Sequence, residues 1–179
     1  MIEVEVKVRV GDTNEIERRI LYKGASYMKA VMQHDVYFDF PDKRLLRDGC
    51  ALRIREEDGI CMMTFKGIRR NSETGSREEI ETSVESREEI CKILERVGLM
   101  RICEVKKKRK IYYYEGWKLS LDNVEGMGTF LEIEGKANSD AEYMEKRERI
   151  FELLEHLGLS DKDVERRSYL ELSLGGREK

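Results

Sequence analysis

The chain has 179 residues, of which 40% are hydrophobic and 40% charged, and its 34 Lys and Arg against 37 Asp and Glu leave a formal net charge of −3. That length suits a single domain, 1–179, with a core of its own. The charge balance excludes a general affinity for nucleic acid or anionic membranes, so functional charge must be arranged locally. No apolar run is long enough to span a bilayer, and the N-terminus lacks the basic-then-apolar pattern of a signal peptide, which points to a cytoplasmic protein.

The opening segment, MIEVEVKVRV, places Glu3, Glu5, Lys7 and Arg9 at alternate positions with Val4, Val6, Val8 and Val10 between them, a strand with one charged and one aliphatic face. In GDTNEIERRILYKGA, Asp12 is placed to cap a helix, with Glu15 three residues on, Ile16, Ile20 and Leu21 at helical spacing and Gly24 as its stop. KAVMQHDVYFDF reads as a strand, followed by a turn at Pro41-Asp42 and a short basic loop. CALRIREE and ICMMTFKG flank Asp58-Gly59, a strong hairpin signal.

IRRNSETGS is polar and predicts an exposed loop; REEIETSV alternates again. SREEICKILERVG is an amphipathic helix, with Ser86 and Glu89 as a capping box and Gly98 as its stop. Residues 99–137 hold three strand-like segments broken at Glu115-Gly116 and at Gly126 to Gly128. A charged helix from about Ser139 to His156, read as a solvated outer helix closed by Gly158, and a last short helix in DVERRSYLELSL bring the count to about eight strands and three or four helices.

The charged-face pattern recurs. Arg53 and Arg55 share a face around Ile54, as do Arg77, Glu79 and Glu81 around Ile80; Lys107 and Arg109 share one, and Glu132, Glu134 and Lys136 alternate with Leu131 and Ile133. Eight antiparallel strands can close into a barrel wide enough for side chains or one small ligand. Both signs of charge facing inward would be costly unless the interior served a ligand, and the apolar faces would then need helices outside. A polyanion bound with divalent cations would use both signs, carboxylates on the metal and Lys or Arg on the anion.

The four cysteines, Cys50, Cys61, Cys91 and Cys103, form no CxxC pair, and with only His34 and His156 a zinc site or disulfide framework is not indicated; they read as small buried hydrophobes. No GxxxxGK[ST] occurs, and nothing supports a kinase or Rossmann site. The basic run Lys106 to Lys110 divides between two strand faces, which argues against a nucleic-acid surface, and Tyr112, Tyr113 and Tyr114 read as strand-packing residues.

Glu3-x-Glu5-x-Lys7 resembles the ExExK signature of the CYTH superfamily, the triphosphate tunnel metalloenzymes that include class IV adenylyl cyclases, thiamine triphosphatases and inorganic triphosphatases. QHDVYFDF, LRDGCALRIR, TFKG, REEIE, KKKRKIYY, LDNVEGMGTFLEIE and SYLEL are similar to that family's successive blocks in order. The resemblance implies an α+β fold, a closed eight-stranded antiparallel β-barrel, or triphosphate tunnel, with helices packed on the outside. It implies Glu3, Glu5, Asp122, Glu132 and Glu134 as ligands of Mg²⁺ or Mn²⁺, two ions, and Lys7, Arg53, Arg55, Lys66, Lys107 and Arg109 as the triphosphate grip. Glu79 and Glu81 would be a supporting acidic pair that assists the metals or orients the basic groups.

The implied partner is a small-molecule triphosphate, namely ATP, tripolyphosphate or thiamine triphosphate, with no nucleic acid and no membrane. The resemblance, with the apolar outer face, also suggests a homodimer. The activity expected first is that of an adenylyl cyclase, ATP to cyclic AMP and pyrophosphate. The alternatives are a triphosphatase and a non-catalytic polyphosphate-binding protein.

Overall fold

Residues 2–69 and 77–175 are described in a computed structural model of the chain, Arg69 and Arg77 by their backbone alone. The polar stretch 70–76 therefore lies outside the described residues, as does the charge of Arg77 on its strand face. The elements run β1 (Ile2–Arg9), α1 (Thr13–Tyr22), β2 (Ser26–Asp39), α2 (Arg44–Arg47), β3 (Ala51–Glu57), β4 (Ile60–Arg69) and β5 (Arg77–Val84). They continue with α3 (Arg87–Arg96), β6 (Met100–Tyr114), β7 (Trp117–Val124), β8 (Gly128–Ala137), α4 (Asp140–His156) and α5 (Tyr169–Gly175).

All eight strands lie in one sheet, in the order β1-β8-β7-β6-β2-β3-β4-β5. The order ends on β1 and β5, and no ladder joins those two among the described residues, so the expected closed barrel is corrected to an open sheet. The edge of β1 that closure would use is already engaged: Val8 bridges Val164, and the Glu165 N–H donates to the Lys7 carbonyl at 2.8 Å. A later segment of the chain thus satisfies backbone groups that a strand edge would otherwise offer to another strand.

Two compact units divide the chain, one of residues 2–30 and 108–166, the other of residues 31–69, 77–107 and 167–175. In the first, Val4, Val6, Val8 and Val10 bury with Leu119, Leu121, Leu131 and Ile133 against Ile16 and Ile20 of α1 and Ile150, Leu153 and Leu154 of α4. Each such aliphatic side chain contributes about 1.5–3 kcal/mol by leaving water. The valine face therefore packs on helices, as the strand pattern predicted, and the Glu3, Glu5 and Lys7 face lies opposite, half-buried to buried.

α4 is not solvated all round: Tyr143, Ile150, Leu153 and Leu154 form a buried stripe within a charged sequence, and the helix packs on β1 and β8. Caps account for the helix starts. Asp12 Oδ1 accepts from the N–H groups of Asn14 and Glu15, Ser86 Oγ from Glu89 and Ser139 Oγ from Glu142. Leu21, expected on the buried side of α1, is 45% exposed.

Gly135 stands opposite Val4 on the helix-facing side, where an added Cβ would meet the Trp117 ring, with Cε3 at 2.7 Å. Trp117 is buried among strands and has no room to yield. Gly135→Ala should therefore cost about 1–3 kcal/mol by overpacking, read as a lower urea midpoint at unchanged slope.

In the second unit Val36, Phe38, Ile54 and Cys61 pack with Cys91 and Leu94 of α3. Asp58 and Gly59 both take positive φ, 50° and 79°, at the predicted hairpin, which only a turn of this kind requires. The expected basic loop contains α2, whose Leu45 and Leu46 N–H groups donate to the Asp39 carboxylate at 3.0 and 2.9 Å. The final helix begins at Tyr169, later than expected, where the Ser168 hydroxyl and the Glu171 carboxylate cap reciprocally. Cys61, Cys91 and Cys103 are buried and Cys50 partly so, all as free thiols.

Candidate functional site

Strand register assembles the charged side chains into rows. In the first unit Glu5 stands opposite Glu134 and Glu134 opposite Lys118; in the next row Lys7 faces Glu132 and Glu132 faces Ser120. Like charges directly opposite, as at Glu5 and Glu134, oppose pairing unless a cation intervenes. Lys118 Nζ supplies one, donating to Glu134 Oε2 at 2.9 Å. Burial pushes the Glu134 carboxyl up, but the Lys118 charge and hydrogen bond, a hydrogen bond with Glu3 and the Arg109 charge together hold it below the usual value.

Arg109 engages two more carboxylates of this unit, those of Asp122 and Glu132. Its Nε and Nη2 donate to the two Asp122 oxygens at 2.7 and 2.6 Å, and Nη2 also donates to Glu132. Asp122 is fully buried and Arg109 is 5% exposed, so this is a desolvated, bidentate clamp. Lys7 is buried too, its Nζ lying 6.0 Å from the centroid of the Phe130 ring.

Four of the five proposed metal ligands therefore divide into Glu3 with Glu134 beside Lys118, and Asp122 with Glu132 around Arg109, while Glu5 stands opposite Glu134. Among the described residues no group of three or more His, Cys, Asp or Glu side chains stands arranged to hold an ion. Arg109 and Lys118 engage oxygens of Asp122, Glu132 and Glu134.

The second unit repeats the clamp. Asp35 stands opposite Arg55 across β2 and β3, and Arg55 Nε and Nη2 donate to its two oxygens, both at 2.6 Å. Arg53 Nη1 lies 3.8 Å from the same carboxylate, and its Nη2 donates to Thr64 Oγ1 at 3.4 Å. Thr64 in turn donates to Glu81 at 2.8 Å, and Lys66 pairs with Glu79. Burial pushes the wholly buried Asp35 carboxyl up, yet Arg53, the Arg55 hydrogen bonds and Lys107 outweigh it and hold it far below the ordinary range. Lys107, 2% exposed, has its Nζ 4.4 Å from the centroid of the Tyr169 ring, a cation–π contact.

Glu79 and Glu81 thus bear on the basic residues, Glu79 directly on Lys66 and Glu81 on Arg53 through Thr64. The basic run of β6 divides between its faces: Lys107 and Arg109 are buried, Lys106 and Lys108 exposed. The sequence did not single out Asp35, Thr64, Lys118 or Tyr169. For Asp35 a signal existed in QHDVYFDF, where Gln33, Asp35, Tyr37 and Asp39 alternate with apolar or neutral residues and all four are buried.

Comparison with known proteins adds kinship to this geometry. The CYTH domain profile matches residues 1–169. A Methanocaldococcus jannaschii protein that carries a provisional adenylate cyclase name is 38% identical over 173 residues, spanning 96% of this chain and 98% of its own length. The adenylate cyclase CyaB of Aeromonas hydrophila is 27% identical over 170 residues, 93% of this chain and 86% of its own. A solved structure from Pyrococcus horikoshii superposes with a TM-score of 0.88 at 33% identity, covering 98% of this chain and 99% of that one.

Proposed function

This chain belongs to the CYTH domain family, and on that premise we propose that it is a divalent-metal-dependent enzyme acting on a triphosphate, converting ATP to cyclic AMP and pyrophosphate. One observation carries the reading: four cations on the charged strand faces, Lys7, Arg53, Lys107 and Arg109, are each 8% exposed or less. Folding alone does not favour buried cations, since well-packed apolar residues would serve stability as well or better. The buried Arg53 Nε, moreover, finds no hydrogen-bond partner among the described residues, and a phosphate oxygen would be its natural acceptor.

In this reading Lys7, Arg53, Arg55, Lys66, Lys107 and Arg109 bind phosphate oxygens. Asp35 and Asp122 hold two guanidinium planes rigid, so that little ordering is left to be done when the anion arrives. Glu3, Glu5, Asp122, Glu132 and Glu134 would hold Mg²⁺ or Mn²⁺, two ions; an all-carboxylate set suits a hard cation. When bound, such ions neutralise phosphate charge and acidify the attacking oxygen. In cyclisation the ribose 3′-oxygen bonds to the α-phosphorus, the bond to the bridging oxygen breaks, pyrophosphate leaves and the hydroxyl proton is released. The kinship with proteins named as adenylate cyclases favours this over hydrolysis by water.

The test is product analysis of the purified protein with ATP, tripolyphosphate and thiamine triphosphate, each with Mg²⁺ or Mn²⁺ and an EDTA control. Cyclic AMP and pyrophosphate, lost with EDTA, are expected. Orthophosphate with a shortened polyphosphate would make it a triphosphatase, and no metal-dependent product from any substrate would leave only a polyphosphate-binding role.

A further inference from the structure

Each compact unit sets an aromatic ring beside a buried lysine of the proposed grip. In the first, Lys7 Nζ lies 6.0 Å from the centroid of the Phe130 ring; in the second, Lys107 Nζ lies 4.4 Å from that of Tyr169. The second contact is well inside the range over which a ring face attracts a cation, and it is desolvated, with Lys107 2% and Tyr169 6% exposed. A carboxylate beside an ammonium neutralises it. The face of a ring supports the ammonium and leaves its charge for an anion.

Tyr169 reaches this place from the far end of the chain. It opens α5, whose first turn is fixed by the reciprocal Ser168 and Glu171 cap, and Leu170 beside it is buried. Ser168, Leu170 and Glu171 line a cavity of about 150 Å³ with Ala51 and Ile68, and Ala51 stands opposite Lys66 across β3 and β4. The helix therefore borders two lysines of the grip, Lys107 through the Tyr169 ring and Lys66 through the strand residue paired with it. The Lys107 charge also helps to hold the Asp35 carboxyl low, which puts the ammonium near the Arg55 and Asp35 clamp. A lysine stem is long and flexible, so an ammonium ordered only when the anion arrives contributes less to binding than one already fixed.

We propose that Tyr169 is a positioning residue of the phosphate grip: its ring, carried in by α5, holds the Lys107 ammonium charged and in place for the oxygens of a phosphate chain. The proposal rests on the triphosphate reading of the site. In this role Tyr169 acts through Lys107 rather than on the substrate, so its effect does not depend on what the triphosphate carries, and it vanishes when Lys107 is replaced. The last helix of the chain then belongs to the site as well as to the fold.

Ring electrostatics separate this role from packing. A methylene-bridged, non-hydrolysable analogue of tripolyphosphate is titrated calorimetrically, with Mg²⁺, into the wild-type chain, Lys107→Met, Tyr169→Phe and a variant with a ring-fluorinated phenylalanine in place of Tyr169. Fluorination withdraws electron density from the ring face at nearly constant shape, so the fold is kept while the cation–π attraction is lost. Tyr169→Phe keeps the ring and is the reference; against it the fluorinated ring should lower affinity by roughly fivefold to tenfold. In the Lys107→Met background the same fluorination should change affinity by less than about twofold. No effect of fluorination in a chain that Lys107→Met does weaken would overturn the role, and so would an equal loss in the Lys107→Met background, the signature of packing alone. Lys107→Met that binds as the wild type does would remove Lys107 from the grip and Tyr169 with it, while leaving the triphosphate reading standing. A wild-type chain that does not bind the analogue would bring down that reading and the assignment together.

Discussion

Glu132→Gln combined with Glu134→Gln should lower metal-dependent turnover by roughly 10²-fold or more, with the thermal melt close to that of the wild type. The substitution keeps side-chain shape and leaves an amide oxygen able to accept from Lys118 or Arg109, so both hydrogen bonds persist and only the opposite charge across each is lost. Arg109 also remains clamped, because its bidentate contact is with Asp122. What is lost is negative charge on the face where a divalent cation is proposed to sit, and catalysis of phosphoryl transfer by charge neutralisation does not survive that loss. Product release by the double variant is compared with the wild type across a Mg²⁺ titration, with circular dichroism as the check on folding. Undiminished turnover in a folded double variant would sink the assignment of these carboxylates.

Much of this arrangement follows from short-range pattern. Val4, Val6 and Val8 alternating with Glu3, Glu5 and Lys7 mark the two faces of β1 without any knowledge of the partner strand, and Asp58-Gly59 fixes its hairpin by backbone conformation alone. The features that escaped depend on partners remote in sequence. α2 lacks a local cap and draws its carboxylate from Asp39, which belongs to β2. The outer edge of β1 is engaged by Val164 and Glu165, and no period in residues 2–9 encodes that. The stripe of α4 was hidden because charged residues intervene at almost every step between Tyr143, Ile150 and Leu154.

The site shows the same division. Residue type and alternation pick out Arg53, Arg55, Glu132 and Glu134, but which acid holds which base is a matter of register. Asp35 becomes visible as the partner of Arg55 only once β2 and β3 are aligned, and Lys118 as the partner of Glu134 only once β7 and β8 are. The five carboxylates were expected to act together as metal ligands. Arg109 engages Asp122 and Glu132, and Lys118 engages Glu134, pairings that only the strand register brings about.

Asp35 should prove the most sensitive single position for stability. It is wholly buried, both its oxygens accept from Arg55, and Arg53 stands within 3.8 Å. Asp35→Asn removes the negative charge while leaving two guanidinium groups in place, with side-chain exposures of 10% for Arg53 and 17% for Arg55. Breaking a buried pair from one side costs about 3–5 kcal/mol, because the remaining charge is left uncompensated, and urea denaturation at neutral pH should read a loss of that size. The same contacts predict the acid limb of stability. The folded carboxyl is held below its unfolded value of about 3.9, so the unfolded chain takes up the proton first as pH falls. The stabilisation is complete above that value and is lost progressively as pH drops from about 4 toward the lower folded value. Asp35→Asn should flatten that part of the slope, since the amide has no proton to take up. Replacing both members, Asp35→Leu with Arg55→Met, should recover part of the loss, because an apolar pair of similar volume often replaces a buried ion pair at little cost. A loss below about 1 kcal/mol in Asp35→Asn, with the acid slope unaltered, would mean that Arg55 is held in place by something other than this carboxylate.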